Sequence, residues 1–239
     1  MSQRFQSSRP IVDKTTWSAV LFDFGGTLDA NGITWKERFF RLYRDEGVAL
    51  SSEQFDPVFY RADDALVGAI PATLSLRDTV TRLAHDVTQG LGLQDVMLGE
   101  RVAKRFMDEA QERISASVQL LGEISDRYRL GIVSNFYGNL ATVCDEVGLS
   151  QFLMVAVDSA QVGYTKPDPH IFLLALAALK AEPTEAVFVG DSLQRDMAGA
   201  RGVGMAHIWL TPETSAAAEA CCPNDPVVHT LEGLREFLL

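Results

Sequence analysis

The chain has 239 residues, 47% of them hydrophobic and 22% charged, and carries a net charge of −11. That length and balance suit a globular protein of one large domain, or one domain with an insertion. The acidic balance argues against a nucleic-acid partner, which needs clustered lysine and arginine. No apolar run approaches the roughly 20 residues that span a membrane.

The N-terminal "MSQRFQSSRP" is polar and lacks the apolar core of a secretory signal, so it reads as a disordered leader. The first strand is then expected at "SAVLFDF" (18–24). It runs out through Asp23 into the glycines and threonine of "DFGGTLD". From about residue 33 to 114 no strand pattern is evident. "TWKERFFRLYRDEG" puts Trp35, Phe39, Leu42 and Tyr43 on one helical face, and "RVAKRFMDEAQERI" does the same with Val102, Phe106, Met107 and Ala110. This block is expected to be an inserted helical cap, flanked by a core of residues 1–32 and 115–239. Its position directly after the first strand would set it over the strand ends, where open α/β sheets bind ligands.

Beyond the block, buried strands are expected at "RLGIVSN" (129–135), "FLMVAVDS" (152–159), "EAVFVGD" (185–191) and "GMAHIWL" (204–210). Helices are expected at 138–149 and 169–182. Alternating strand and helix predicts an α/β fold, a parallel sheet flanked by helices. The cysteines are Cys144 and the adjacent pair Cys221 and Cys222. No metal-type spacing exists, so a reduced, cytoplasmic protein is expected. His85, His170, His207 and His229 fall mostly in predicted helices and strands, where a structural role is the simpler reading.

Three expected strands end in Asp23, in Ser134–Asn135 and in Asp191. In a parallel sheet these ends share one crevice. Lys166 in "KPDPHIF" precedes a helix, and Asp196 follows Asp191 by five residues in "GDSLQRD". Taken singly, each has an ordinary explanation: a turn former, a helix cap, a surface lysine, a solvated helix face. Together they have a chemical one. A carboxylate such as Asp23 can attack a phosphoryl group and split one hard step into two. Converging carboxylates invite a hard cation such as Mg²⁺. Ser134 can bind phosphate oxygens, Lys166 can offset charge on the transferred group, and Gly25 and Gly26 permit a tight turn.

The ordered set "DFGGTLD", "VSN", "KPDPHIF" and "GDSLQRD" resembles the haloacid dehalogenase-like hydrolase superfamily over nearly the whole chain. The resemblance implies a Rossmann-like core with a helical cap inserted after the first motif. It implies Asp23 as nucleophile, Lys166 as the orienting cation, and a phosphate site at Gly26, Thr27, Ser134, Asn135 and Lys166. It implies Mg²⁺ held by Asp23, Asp191, Asp196 and the backbone carbonyl of Gly25, and a small phosphorylated metabolite as substrate. One position departs from the pattern. Where the family's phosphatases carry an acid–base carboxylate, this chain has Gly25, and such a group is typically worth about 10²–10⁴-fold. Asp29, four residues on, or a cap residue could take over. Trp35, Phe39 and Tyr60 are candidates to face the substrate.

Two other readings stand beside a Mg²⁺-dependent phosphatase. One is an impaired protein that binds phosphate or a partner in the old site. The other is a 2-haloacid dehalogenase, whose aspartate displaces halide without a metal. Against the latter, the first motif has no neighbouring arginine, and "GDSLQRD" keeps acids suited to a metal.

Overall fold

The computed structural model describes residues 17–213 and 225–239. The expected leader and Cys221–Cys222 lie outside the described residues. Five strands fall where the sequence suggests: β1 (Ala19–Phe22), β2 (Arg129–Ser134), β3 (Leu153–Asp158), β4 (Ala186–Gly190) and β5 (Ala206–Leu210). A sixth, β6 (Val227–Val228), is two residues long, too short for a periodic signal. All pairings are parallel, in the order β3-β2-β1-β4-β5-β6. This is the expected α/β, Rossmann-like sheet. Its order reverses between β1 and β4, and ligands bind at such switch points.

Alternation along the strands builds a core on each face. Val20 and Phe22 of β1 join one buried cluster with Leu130, Ile132, Val187 and Val189. Ala19 and Leu21 join another with Ile171, Phe172 and Leu176. The latter three lie on the helix Pro169–Leu179, which begins with Asp168 as N-cap and Pro169 in the first turn.

Between β1 and β2 the chain forms four helices: α1 (Trp35–Asp45), α2 (Ser52–Leu66), α3 (Leu76–Gly90) and α4 (Leu98–Ile124). Thr34 caps α1, accepting from Glu37 N while the Glu37 carboxylate accepts from Thr34 N. Ser75 Oγ accepts from Asp78 N at the start of α3. The expected boundary near residue 114 falls inside α4, which continues unbroken to Ile124. Phe39, Phe59 and Phe106 pack ring to ring, with centroids 5.6 Å (Phe39–Phe59) and 4.9 Å (Phe39–Phe106) apart. These rings belong to the same continuous cluster as Val20 and Phe22, so the helical block shares its core with one face of the sheet.

Phe39 is fully buried, whereas Tyr60 on the same block is 49% exposed. Phe39→Ala is therefore expected to cost about 3–5 kcal/mol by urea unfolding, and Tyr60→Ala to stay within about 0.5 kcal/mol. Equal costs would contradict this packing.

Candidate active site

Asp23 is the first residue beyond β1. Its N–H donates to Val189 O at 2.9 Å, so the chain is still in register with β4 there. The backbone then turns sharply. Gly26 has φ +91°, and a Cβ at that position would lie 2.6 Å from Asp191 Oδ2. Only glycine meets both demands. The turn brings Thr27 Oγ1 to donate to Asp191 Oδ1 at 3.0 Å.

Side chains from the end of β2, from the loop before Pro169 and from the segment after β4 gather around Asp23. Ser134 Oγ, at the end of β2, donates to Asp23 Oδ1 at 2.7 Å. Lys166 is 4% exposed. Its Nζ forms ion pairs with Asp23 Oδ1 at 2.8 Å and Asp196 Oδ1 at 2.7 Å. Asn135 fixes the lysine's backbone: its Nδ2 donates to Lys166 O at 3.1 Å, and Lys166 N donates to its Oδ1 at 2.7 Å. Asp196 Oδ2 accepts from Ser192 N at 2.9 Å, which anchors the last carboxylate.

Carboxylate oxygens of Asp23, Asp191 and Asp196 all lie within 4.8 Å of one another. Burial pushes the Asp191 carboxyl well above the usual range, and the charges of Asp196 and Asp23 push it further. Burial also raises Asp196, against the pull of Lys166. Burial alone would lower Lys166, but Asp196 and Asp23 outweigh it and the ammonium is held above its ordinary value. Three crowded hard oxygen donors, with Asp191 and Asp196 both held above the usual carboxylate range, fit a divalent cation such as Mg²⁺.

A cavity of about 330 Å³ opens over this cluster. Asp23, Gly25, Ser134, Asn135, Lys166 and Asp191 line it. Gly26, Thr27 and Asp196 lie beneath. The Gly26 N–H is engaged by Asp29 Oδ1 at 2.7 Å, and Thr27 is fully buried against Asp191. Of the expected cap residues, Trp35 and Tyr60 reach the cavity while Phe39 stays in the core. Asp63, Tyr137 and Arg195 line it without having been singled out from sequence. The arginine missing near the first motif thus arrives from "GDSLQRD". None of the four histidines lines this cavity. His85 pairs with Glu100, His170 with Asp168 and His207 with Asp225, and His229 bonds Thr211 O.

Gly25 has φ −74° and ψ 118°, a backbone open to any residue. A Cβ there would stand 3.3 Å from Trp35 Nε1, so the indole crowds the approach to this position. Asp29 in turn pins Trp35. Its Oδ2 accepts from Trp35 Nε1 at 2.7 Å and from Arg38 Nη1 at 2.8 Å. Asp29 is fully buried and does not line the cavity. Its expected alternative role as proton donor therefore has no support in the geometry.

Fold and site together define an α/β protein with a lysine-braced carboxylate cleft at its switch point. The family model described as haloacid dehalogenase-like hydrolase matches residues 17–204, and the chain belongs to that family. It is 33% identical over 120 residues to a phosphoserine phosphatase of Thermus thermophilus, covering 48% of this chain and 43% of the relative. The chain spans about half the length of the curated relatives it matches. A crystal structure of a HAD phosphatase from Thermococcus onnurineus superposes with TM-score 0.56 and 25% identity, covering 92% of this chain and 97% of that one. A 2-haloacid dehalogenase from Pseudomonas syringae superposes with TM-score 0.54 and 23% identity, covering 93% and 98%, a likeness of fold alone.

The Asp29–Arg38 pair can be tested by stability. Arg38 is 2% exposed, whereas the Arg41 side chain, paired with Glu109 at 2.6 Å, is 46% exposed. Arg38→Ala strands a buried carboxylate and is expected to cost about 3–5 kcal/mol. Arg41→Ala breaks a solvated pair worth about 0–1 kcal/mol. Urea unfolding of both variants checks the contrast, and a cheap Arg38→Ala would overturn it.

Proposed function

We propose that the protein is a Mg²⁺-dependent phosphatase of a small phosphorylated metabolite, acting through phosphorylated Asp23. One observation carries the reading. A strand-end carboxylate, a hydroxyl, a buried ammonium and two further carboxylates meet at the floor of a single cavity. The cavity's size suits a small molecule.

In this reading Asp23 attacks phosphorus, and the P–O bond to the leaving alcohol breaks. Ser134 Oγ and Lys166 Nζ, both already at Asp23 Oδ1, hold the carboxylate at a fixed angle and offset charge on the phosphoryl oxygens. Asn135 serves as the strut that keeps Lys166 in place. Asp23, Asp191, Asp196 and the Gly25 carbonyl would hold the cation, which would neutralise the carboxylates and the incoming phosphate. Water then attacks the acyl phosphate and restores Asp23.

A second reading, 2-haloacid dehalogenation, draws on Gly25 and on Arg195, a cation at the cavity suited to a carboxylate. The cluster of three acids favours the metal-dependent route. Assaying halide release against phosphate release separates the two.

Phosphate release from an aryl phosphate is expected to need Mg²⁺, to stop with chelator, and to vanish in Asp23→Asn with circular dichroism unchanged. Equal rates with and without metal, or an active Asp23→Asn, would sink this reading.

A further inference from the structure

The reaction proposed above needs a proton for the leaving alkoxide and a base for the attacking water. Gly25 offers neither. The carboxylates among the described residues that line the cavity are Asp23, Glu37, Asp63 and Asp191. Asp23 is the attacking group and Asp191 belongs to the cation cluster. Glu37 is exposed and caps α1 through Thr34 N and Oγ1. Asp63 has no such duty.

Asp63 sits in the last turns of α2 and is half-buried. Its Oδ1 accepts from the Tyr137 hydroxyl. Tyr137 lies three residues beyond Ser134, on the loop that carries the nucleophile's partner. The Tyr137 carbonyl also accepts from Gly68 N at 3.0 Å. Two bonds from one core residue therefore hold the end of α2 at the cleft. The Tyr137 ring stands 6.1 Å from the Trp35 ring, and Trp35 occupies the space over Gly25. Asp63 Oδ2 has no hydrogen-bond partner among the described residues.

We propose that Asp63, held by Tyr137, is the general acid and base that Gly25 lacks. Tyr137 is the positioning residue. As the Asp23 Oδ–P bond forms and the ester P–O bond breaks, the Asp63 carboxyl gives its proton to the leaving oxygen. The Asp63 carboxylate then takes a proton from the water that attacks phosphorus. The Asp23–P linkage breaks, and both aspartates return to their starting states with alcohol and phosphate released.

The surroundings suit a carboxyl that must be protonated part of the time. Burial raises Asp63 above the usual carboxylate range; the Tyr137 hydroxyl works against this, Asp64 adds to it, and Arg195 opposes it. Lys36, Glu37 and Tyr60 are the other ionisable groups of the cap at the same cavity.

The inference rests on the phosphatase reading, and the test separates the two. Wild type, Asp63→Asn, Tyr137→Phe and Glu53→Gln are assayed with Mg²⁺ on an aryl phosphate and on a panel of phosphorylated alcohols. Aryl oxides leave without a proton; alkoxides do not. Asp63→Asn, which keeps an oxygen for Tyr137, is expected to lose about 10²–10⁴-fold in kcat on the phosphorylated alcohols and to stay within a few-fold of wild type on the aryl ester. Tyr137→Phe should lose less, with the same selectivity, and Glu53→Gln, an exposed carboxylate at the start of α2, should match wild type. Equal losses on both ester classes, no loss on either, or a wild type active on the aryl ester alone overturns the assignment while sparing the phosphatase reading. A wild type inert on every ester overturns both.

Discussion

Everything at this site follows from the crowding of three carboxylates around one lysine. With oxygens within 4.8 Å of one another, each ionised pair repels by about 3–4 kcal/mol at an effective dielectric of about 20. Lys166 relieves part of this by bridging Asp23 and Asp196. The rest must be met by protonation or by a cation. The fold invests heavily in holding the groups there regardless: parallel register carries Asp23 alongside β4, Gly26 gives Asp191 room, Asn135 clamps the lysine, and Ser192 anchors Asp196. Such convergence of unfavourable charges is a mark of a working site rather than of a stable core.

The same economy explains Gly25. Its backbone would accept a side chain, so the glycine is not a demand of the turn. The space is taken by Trp35, and Trp35 is fixed by the buried Asp29–Arg38 pair, with Arg38 stacked 3.6 Å over the Phe106 ring. The absence of an acid at residue 25 is thus built into the packing between α1, α4 and the first loop. Restoring a carboxylate there would set its Cβ 3.3 Å from the indole nitrogen, a contact that the pinned ring would have to relieve by shifting. A proton donor from the cap side of the cleft is the arrangement this packing leaves open.

Much of the layout was legible in the sequence because it is written in local patterns. The β1, β2 and β4 runs are apolar on both faces and end in polar residues, so Asp23, Ser134 and Asp191 could be placed at one sheet edge before any contact was known. Lys166 and Asp196 needed the motif set as well, since neither residue type nor spacing alone separates a buried lysine from a surface one. What stayed hidden depends on contacts distant in sequence. Asp63 sits in a helix whose charged neighbours mask it, and only the Tyr137 hydroxyl, 74 residues away, marks it out. Asp29 looked free to help because its partners Trp35 and Arg38 come from the next helix. Arg195 carries no local signal, because its place at the cleft depends on the turn that follows β4. The end of α4 carries no local signal either: its apolar stripe runs through the helical block and into the cluster under the sheet without a break.

The claim on which the rest hangs is that Asp23 becomes phosphorylated. Acid-quenching the protein during turnover of an aryl phosphate with Mg²⁺, then mapping its peptides by mass spectrometry, tests this directly. The account predicts one added phosphoryl group on the peptide containing Asp23, absent in Asp23→Asn and absent with chelator. Turnover with no modified Asp23 peptide, or a phosphoryl group on a different residue, would contradict it.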